Sequence, residues 1–242
     1  MTAVSPLLSM ATARRKQTTS SAARPTVEPA TGEKKRRYHH GNLRTALLVG
    51  ASHLLRTSGI EGVTLRACAQ FAGVSQAAIR NHFADKNHLL ASLAAEGFVL
   101  LGQRRKSQAT LSGSIAETLE IIFQNYVGFA VENSHLFRLM FADKNLRRDD
   151  YADLRSASHH ALKELHAIFS AMLERAKLDS SGIEGLTFNL WSAMHGLAML
   201  VIDEQYTLVT HPSVVKAQCT ELATMLAAGL EQTRKRPKAR VR

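Results

Sequence analysis

The chain has 242 residues and is 45% apolar, which is ample for a buried core and excludes a wholly disordered polypeptide. Its formal charge of +11 is uneven, because residues 1–40 and residues 233–242 each carry a net +6 while the body between them is nearly neutral. Two distant cysteines, Cys68 and Cys219, exclude a disulfide framework or cysteine metal knuckle, and the longest apolar run, at residues 196–202, is too short to span a bilayer. A reducing, cytoplasmic setting with no membrane contact is expected, since the N-terminus also lacks the apolar segment of a secretory signal.

Residues 1–37 are rich in Ser, Thr, Ala and Arg and poor in acids, and are expected to form a disordered basic extension, although organelle transit peptides share that composition. The extension ends in Lys34, Lys35, Arg36 and Arg37, a run that either stays solvated or reaches phosphates of a neighbouring duplex. Leu43, Leu47, Leu48, Ala51, Leu54 and Leu55 then recur at helical spacing, and Gly59 is expected to stop this first helix before a turn at residues 59–62.

Residues 64–86, TLRACAQFAGVSQAAIRNHFADK, predict two short helices joined by a tight turn and followed by the start of a fourth helix. Thr64 and Ser75 stand where a side-chain oxygen caps a helix, Ala69 offers the small side chain that crossing helices need, and Gly73 supplies the positive φ of the turn. Leu65, Cys68, Ala72, Val74 and Ile79 are the apolar positions, which leaves Gln76, Ala77, Arg80, Asn81 and His82 to face outward. This is the pattern of a helix-turn-helix with a polar reading face, although harmless helical hairpins share much of it. Lys86 breaks a local rule, since a helix N-terminus disfavours a cation, and a DNA phosphate would reconcile it.

A fourth helix is expected through Leu89, Leu90, Leu93, Phe98 and Leu101 towards Arg104, Arg105 and Lys106. Ser112 or Ser114 opens a fifth with the stripe Ile115, Leu119, Ile122, Phe123, Tyr126 and Phe129, and Ser134 opens a short sixth with Leu136, Phe137, Leu139, Met140 and Phe141. A charged turn at residues 143–150 leads to three long helices, at about residues 151–178, 181–204 and 212–233. The last two carry wide apolar faces, Leu190, Leu197, Leu200 and Val201 on one and Val215, Leu222, Met225, Leu226 and Leu230 on the other, more than one chain can cover. No segment has strand periodicity, so the expected fold class is all-α with about nine helices.

Catalytic and metal signatures are weak. There is no G-x-S-x-G, no phosphate-binding glycine loop and no close pair of catalytic carboxylates, so an all-helical enzyme is the poorer reading and no cofactor is expected. His159, His160, Glu164 and His166 lack the H-E-x-x-H spacing and are read as solvated or hydrogen-bonded, with no metal expected.

From Tyr38 to Phe98, YHHGNLRTALLVGASHLL followed by GIEGVTLRACAQFAGVSQAAIRNHFADKNHLL, the chain resembles the DNA-binding domain of TetR-family transcriptional regulators. YHHGNLRTALL, with Trp191, His195 and Gly196, resembles the subgroup whose C-terminal domain is of WHG type. The resemblance implies a DNA-binding domain at 38–90, an effector-binding and dimerisation domain at 91–232, and a basic tail at 233–242. It also implies a homodimer through the last two helices and double-stranded DNA as partner.

Within that frame the DNA-contacting candidates are Thr64, Arg66, Ser75, Gln76, Ala77, Arg80, Asn81, His82 and Lys86, with His82 and Lys86 as phosphate contacts. Most members place a tyrosine at the position of Arg80, so whether Arg80 pairs with a phosphate or reads a guanine stays open. The family's C-terminal domain encloses an effector cavity, and the aromatic stripe makes Phe123, Tyr126, Phe137, Met140, Phe141, Trp191, Met194 and His195 the candidate lining for a small apolar or aromatic effector. Trp191 and His195 read equally as a packed, hydrogen-bonded pair or as part of that pocket. The expected function is a ligand-responsive repressor that binds a palindromic operator as a homodimer; the alternative is a sequence-indifferent nucleoid protein held on any duplex by its basic tails.

Overall fold

The computed structural model describes residues 43–108, 113–143, 146–204 and 211–234, and among them every regular element is helical. These are α1 (Leu43–Gly62), α2 (Leu65–Ala72), α3 (Gln76–Arg80), α4 (Lys86–Gln108), α5 (Ile115–Glu132), α6 (Ser134–Phe141), a 3-10 turn at Arg148–Asp150, α7 (Ala152–Arg175), α8 (Ile183–Ile202) and α9 (Pro212–Arg234). The basic extension at 1–37, its cluster Lys34–Arg37 and the tail beyond Arg234 lie outside the described residues.

Three helices make the N-terminal unit. Leu47, Leu48, Ala51, Leu55, Val63, Cys68, Ala69, Ile79 and Phe83 are buried together, so the apolar faces of α1, α2 and α3 close on one another. Each large side chain buried this way contributes about 1.5–3 kcal/mol. Gly59 interrupts the first helix as expected, but a short helical piece rather than only a turn follows, so α1 is two helical pieces joined by a kink. At φ 67°, ψ −174° Gly59 occupies a region open essentially to glycine alone, and Ile60 to Gly62 resume helical geometry beyond it.

α4 runs out of this unit into the next. Its start is fastened by Asp85, whose Oδ1 accepts from the His88 N–H at 2.7 Å, and by His88, whose Nδ1 accepts from the Ala84 N–H at 3.3 Å. Arg44 of α1 donates to Ser92 Oγ of α4 (3.1 Å) and to Asp153 Oδ2 of α7 (3.2 Å), and its guanidinium lies over the Phe83 ring. Further along, α4 packs on α6 at Gly97, where even a Cβ would meet Met140 Sδ at 2.6 Å, and on α7 at Gly102, where it would meet Glu164 Oε2 at 2.9 Å.

The C-terminal unit is built around α5. Ser114 and Glu117 form a reciprocal capping box at its start, and its apolar face, with Leu119, Phe123, Tyr126, Val127 and Ala130, is almost wholly enclosed by α6, α8 and α9. α8 is long and apolar enough to cross a membrane by length and composition, but it packs on α5 and α7, with only part of its surface covered.

Candidate functional site

The reading head is built by its caps. Thr64 Oγ1 accepts from the Ala67 N–H at 3.0 Å and Ser75 Oγ from the Ala78 N–H at 3.2 Å, so both hydroxyls keep their proton available for a phosphate. α2 ends in a Schellman motif, with Gly73 at φ 69°, ψ 30° and the Val74 N–H donating to the Ala69 carbonyl at 3.0 Å. That turn sets the angle at which α3 leaves. Ile79 is fully buried and anchors α3, whereas Gln76, Ala77 and Arg80 lie exposed on its outer side, with Asn81 next in line as its C-cap.

The remaining predicted positions border this face. Arg66 is exposed in the first turn of α2, His82 is half-buried after α3, and Lys86 opens α4. Lys86 Nζ lies 3.8 Å from Glu61 Oε2 of α1, a loose pair between a half-buried lysine and a solvated glutamate. Such a pair contributes at most about 1 kcal/mol, so a phosphate competes easily for the ammonium.

A second site lies between α4, α5, α6, the 3-10 turn, α7 and α8: a cavity of about 290 Å³. Tyr126, Phe141 and Trp191 of the predicted lining do face it, joined by Phe98, Leu101, Leu162 and Leu165. Phe123, Phe137, Met140 and Met194 do not line it; each is buried in the core behind. His195 stands one bond away: the Tyr126 hydroxyl accepts from Trp191 Nε1–H at 3.1 Å and is free to donate to His195 Nδ1 at 2.9 Å. Trp191 thus lines the cavity, and Trp191 and His195 are joined by hydrogen bonds through the Tyr126 hydroxyl. Burial pushes the Tyr126 phenol well above its usual range, and burial with the nearby Arg148 holds His195 below its ordinary value, so both are neutral.

The residues that sequence reasoning missed are the polar ones. Arg105 is 8% exposed and lines the cavity; one Nη donates to the Ala161 carbonyl at 3.0 Å, Glu164 Oε2 lies 3.9 Å away, and its buried Nε has no hydrogen-bond partner among the described residues. Arg148 also lines it, half-buried over the rings of Phe98 and Phe141 (5.5 and 5.7 Å to the centroids), with one Nη donating to the Met140 carbonyl at 3.3 Å. A signal for Arg105 was present, because Phe98, Leu101 and Arg105 follow one another at spacings of three and four along one helical face. Arg148 sits in an aperiodic charged turn and left none.

His159 lines the cavity, while His160 Nε2 pairs with Glu164 Oε1 at 3.2 Å and His166 meets the Thr187 hydroxyl at 3.4 Å. These histidines diverge, and among the described residues no group of three or more metal-ligating side chains converges. Cys68 and Cys219 are buried, and burial raises both thiols to about 11, which makes them unreactive.

Comparison with known proteins gives two family matches in sequence. Residues 47–93 match the family described as bacterial regulatory proteins, tetR family, and residues 119–230 match the tetracyclin repressor-like C-terminal domain, a span that includes Trp191, His195 and Gly196. Among curated proteins no sequence matches. Solved structures similar in fold include a protein of unknown function from Rhodococcus sp. RHA1, 25% identical with a TM-score of 0.64 over 82% of this chain and 98% of that one. A transcriptional regulator from the same source is 21% identical with a TM-score of 0.62, covering 77% of this chain and 96% of that one. The fatty acid degradation regulator FadR from Bacillus halodurans is 16% identical with a TM-score of 0.55, covering 80% and 98%. A capped helix-turn-helix within one family match, and an enclosing helical domain within the other, make this chain a member of the TetR family of DNA-binding, non-enzymatic transcriptional regulators.

Proposed function

We propose that the protein is a ligand-responsive repressor that binds a palindromic operator as a homodimer and leaves it when a small molecule with an apolar or aromatic body fills the C-terminal cavity. The observation that carries this reading is α4 itself. Its first residue, Lys86, borders the reading face, while Phe98, Leu101 and Arg105 on the same helix line the cavity, so a single element reports from one site to the other. Coupling between the sites is reciprocal, and operator DNA should lower ligand affinity by the factor by which ligand lowers operator affinity. Equal ligand affinity with and without DNA would remove the coupling.

The dimer rests on surface left uncovered in one protomer. Phe188 is 61% exposed, Leu200 45% and Met225 71%, all on α8 and α9. Leu190 and Val201, first read as part of that face, are buried within the protomer, and Leu222, Leu226 and Leu230 are half-buried against its own core. A two-fold dimer seated on Phe188, Leu200 and Met225 would place two reading heads on half-sites about one DNA turn apart. The nucleoid-protein reading predicts uniform protection of any duplex; protection of one palindrome that survives competitor DNA supports the regulator.

A further inference from the structure

We infer that the cavity takes an organic monoanion, a carboxylate held by Arg105 and Arg148 with an aromatic or short branched body against Phe98, Phe141 and Trp191. This rests on the ligand-responsive reading above and names the chemistry of its effector. A cavity meant for a purely apolar molecule needs no cations, yet this one has two, from different elements of the fold. Arg105 is more than nine-tenths buried, and its Nε–H is without a partner among the described residues. A buried cation needs a partner, and its nearest carboxylate, Glu164, lies 3.9 Å away and is shared with His160, so an anion in the cavity completes the pairing of this guanidinium.

Arg148 supports the same conclusion independently. Its guanidinium lies over two aromatic rings of the cavity wall, and among the described residues no carboxylate lies within 4.0 Å of it. A guanidinium held beside rings and not paired with an acid keeps N–H donors for a planar oxyanion, which arginine can bind bidentately and lysine cannot. The acids nearby limit the charge that fits. Glu164 lies near Arg105 but is shared with His160, and Asp149 is exposed where it lines the cavity, so the net field is positive but modest. A monoanion suits it better than a phosphate dianion. The volume of about 290 Å³ lies at the lower end for small-molecule sites and suits one ring or a short chain.

The chain carries its own reporter, because Trp191 is the only tryptophan and lines the cavity. Its fluorescence can be titrated with 4-phenylbutyrate, with the uncharged isostere 4-phenylbutanamide and with phenyl phosphate. The carboxylate is expected to bind about tenfold or more tighter than the amide, as a charge-assisted bidentate pair requires. In Arg105→Gln and Arg148→Gln that ratio should fall towards one while amide affinity holds, and Arg148→Lys should restore part of it. The wild-type ratio decides even if a variant fails to fold. Equal affinity for acid and amide, tighter binding of the phosphate, or no binding of any probe at millimolar concentration would each overturn the inference. Operator release separates the two readings: an acid that binds without releasing DNA leaves the ligand class standing and sinks ligand response, whereas an amide that binds and releases DNA as well as the acid does the reverse.

Discussion

Arg80 ends α3 exposed, and among the described residues no partner holds it back from DNA. As a phosphate contact it predicts that Arg80→Ala weakens binding to every operator variant alike and makes the salt dependence shallower by about one unit. A loss concentrated at one guanine per half-site would instead identify base readout, worth about 1–3 kcal/mol at that position. Tyr126 supports a second prediction, since its hydroxyl is the shared partner of Trp191 and His195. Tyr126→Phe should cost about 1–3 kcal/mol in urea unfolding, because two partly buried polar atoms lose their bond while the ring still packs. His195 adds a pH dependence whose sign follows from its depressed basicity. The unfolded chain binds the proton more readily, so this contribution is fully present above the ordinary value of 6.5 and is lost as pH falls from there towards the lower folded value. Melting temperature should therefore drop more steeply below that pH in the wild type than in His195→Asn, and parallel profiles would refute the assignment.

Among the elements, backbone chemistry sets the clearest expectations. A Cβ on either Gly59 or Gly73 meets nothing within 4 Å, so the cost of adding one is conformational. Gly73 sits in the left-handed helical region, which costs an alanine about 1 kcal/mol, whereas Gly59 at ψ −174° lies where other residues almost never go, at about 1–3 kcal/mol. Gly59→Ala should thus destabilise more than Gly73→Ala in chemical denaturation, and the reverse order would contradict the kinked α1. The helix-turn-helix was legible in sequence because Thr64, Gly73 and Ser75 act on neighbours within a few residues, so their types alone imply the turn and both caps. The break at Gly59 was legible for the same reason, whereas that Ile60–Gly62 would recover a helix depends on packing against the rest of the unit. The cavity was less legible still. Phe123, Phe137, Met140 and Met194 have the right apolarity but are buried in the core behind the cavity, and which turn of a helix borders the cavity is decided by how α5, α6 and α8 meet. Arg148 stands in a charged turn that reads as solvated, and Arg105, despite its spacing from Phe98 and Leu101, is held inward by α7, while the rings of Phe98 and Phe141 hold Arg148.

For the whole molecule, the dimer gives the most direct measurement. Phe188, Leu200 and Met225 are exposed in the protomer, so Phe188→Glu with Met225→Glu should leave its fold intact while placing charges in the paired face. The wild type should sediment at twice the 26.6 kDa protomer and the variant as a monomer with weak operator affinity; a dimeric variant with unchanged affinity would place the interface elsewhere. Gly97 has a mechanical consequence. There α4 lies close enough to α6 to leave no room for a Cβ, which would let it serve as a fulcrum. From there Lys86 is eleven residues away and Arg105 eight, so at a 1.5 Å rise the two arms measure about 16 Å and about 12 Å. In the proposed dimer, a displacement imposed on the Arg105 end would reach the reading head enlarged by about one third, and two-fold symmetry would apply it at both ends of the operator.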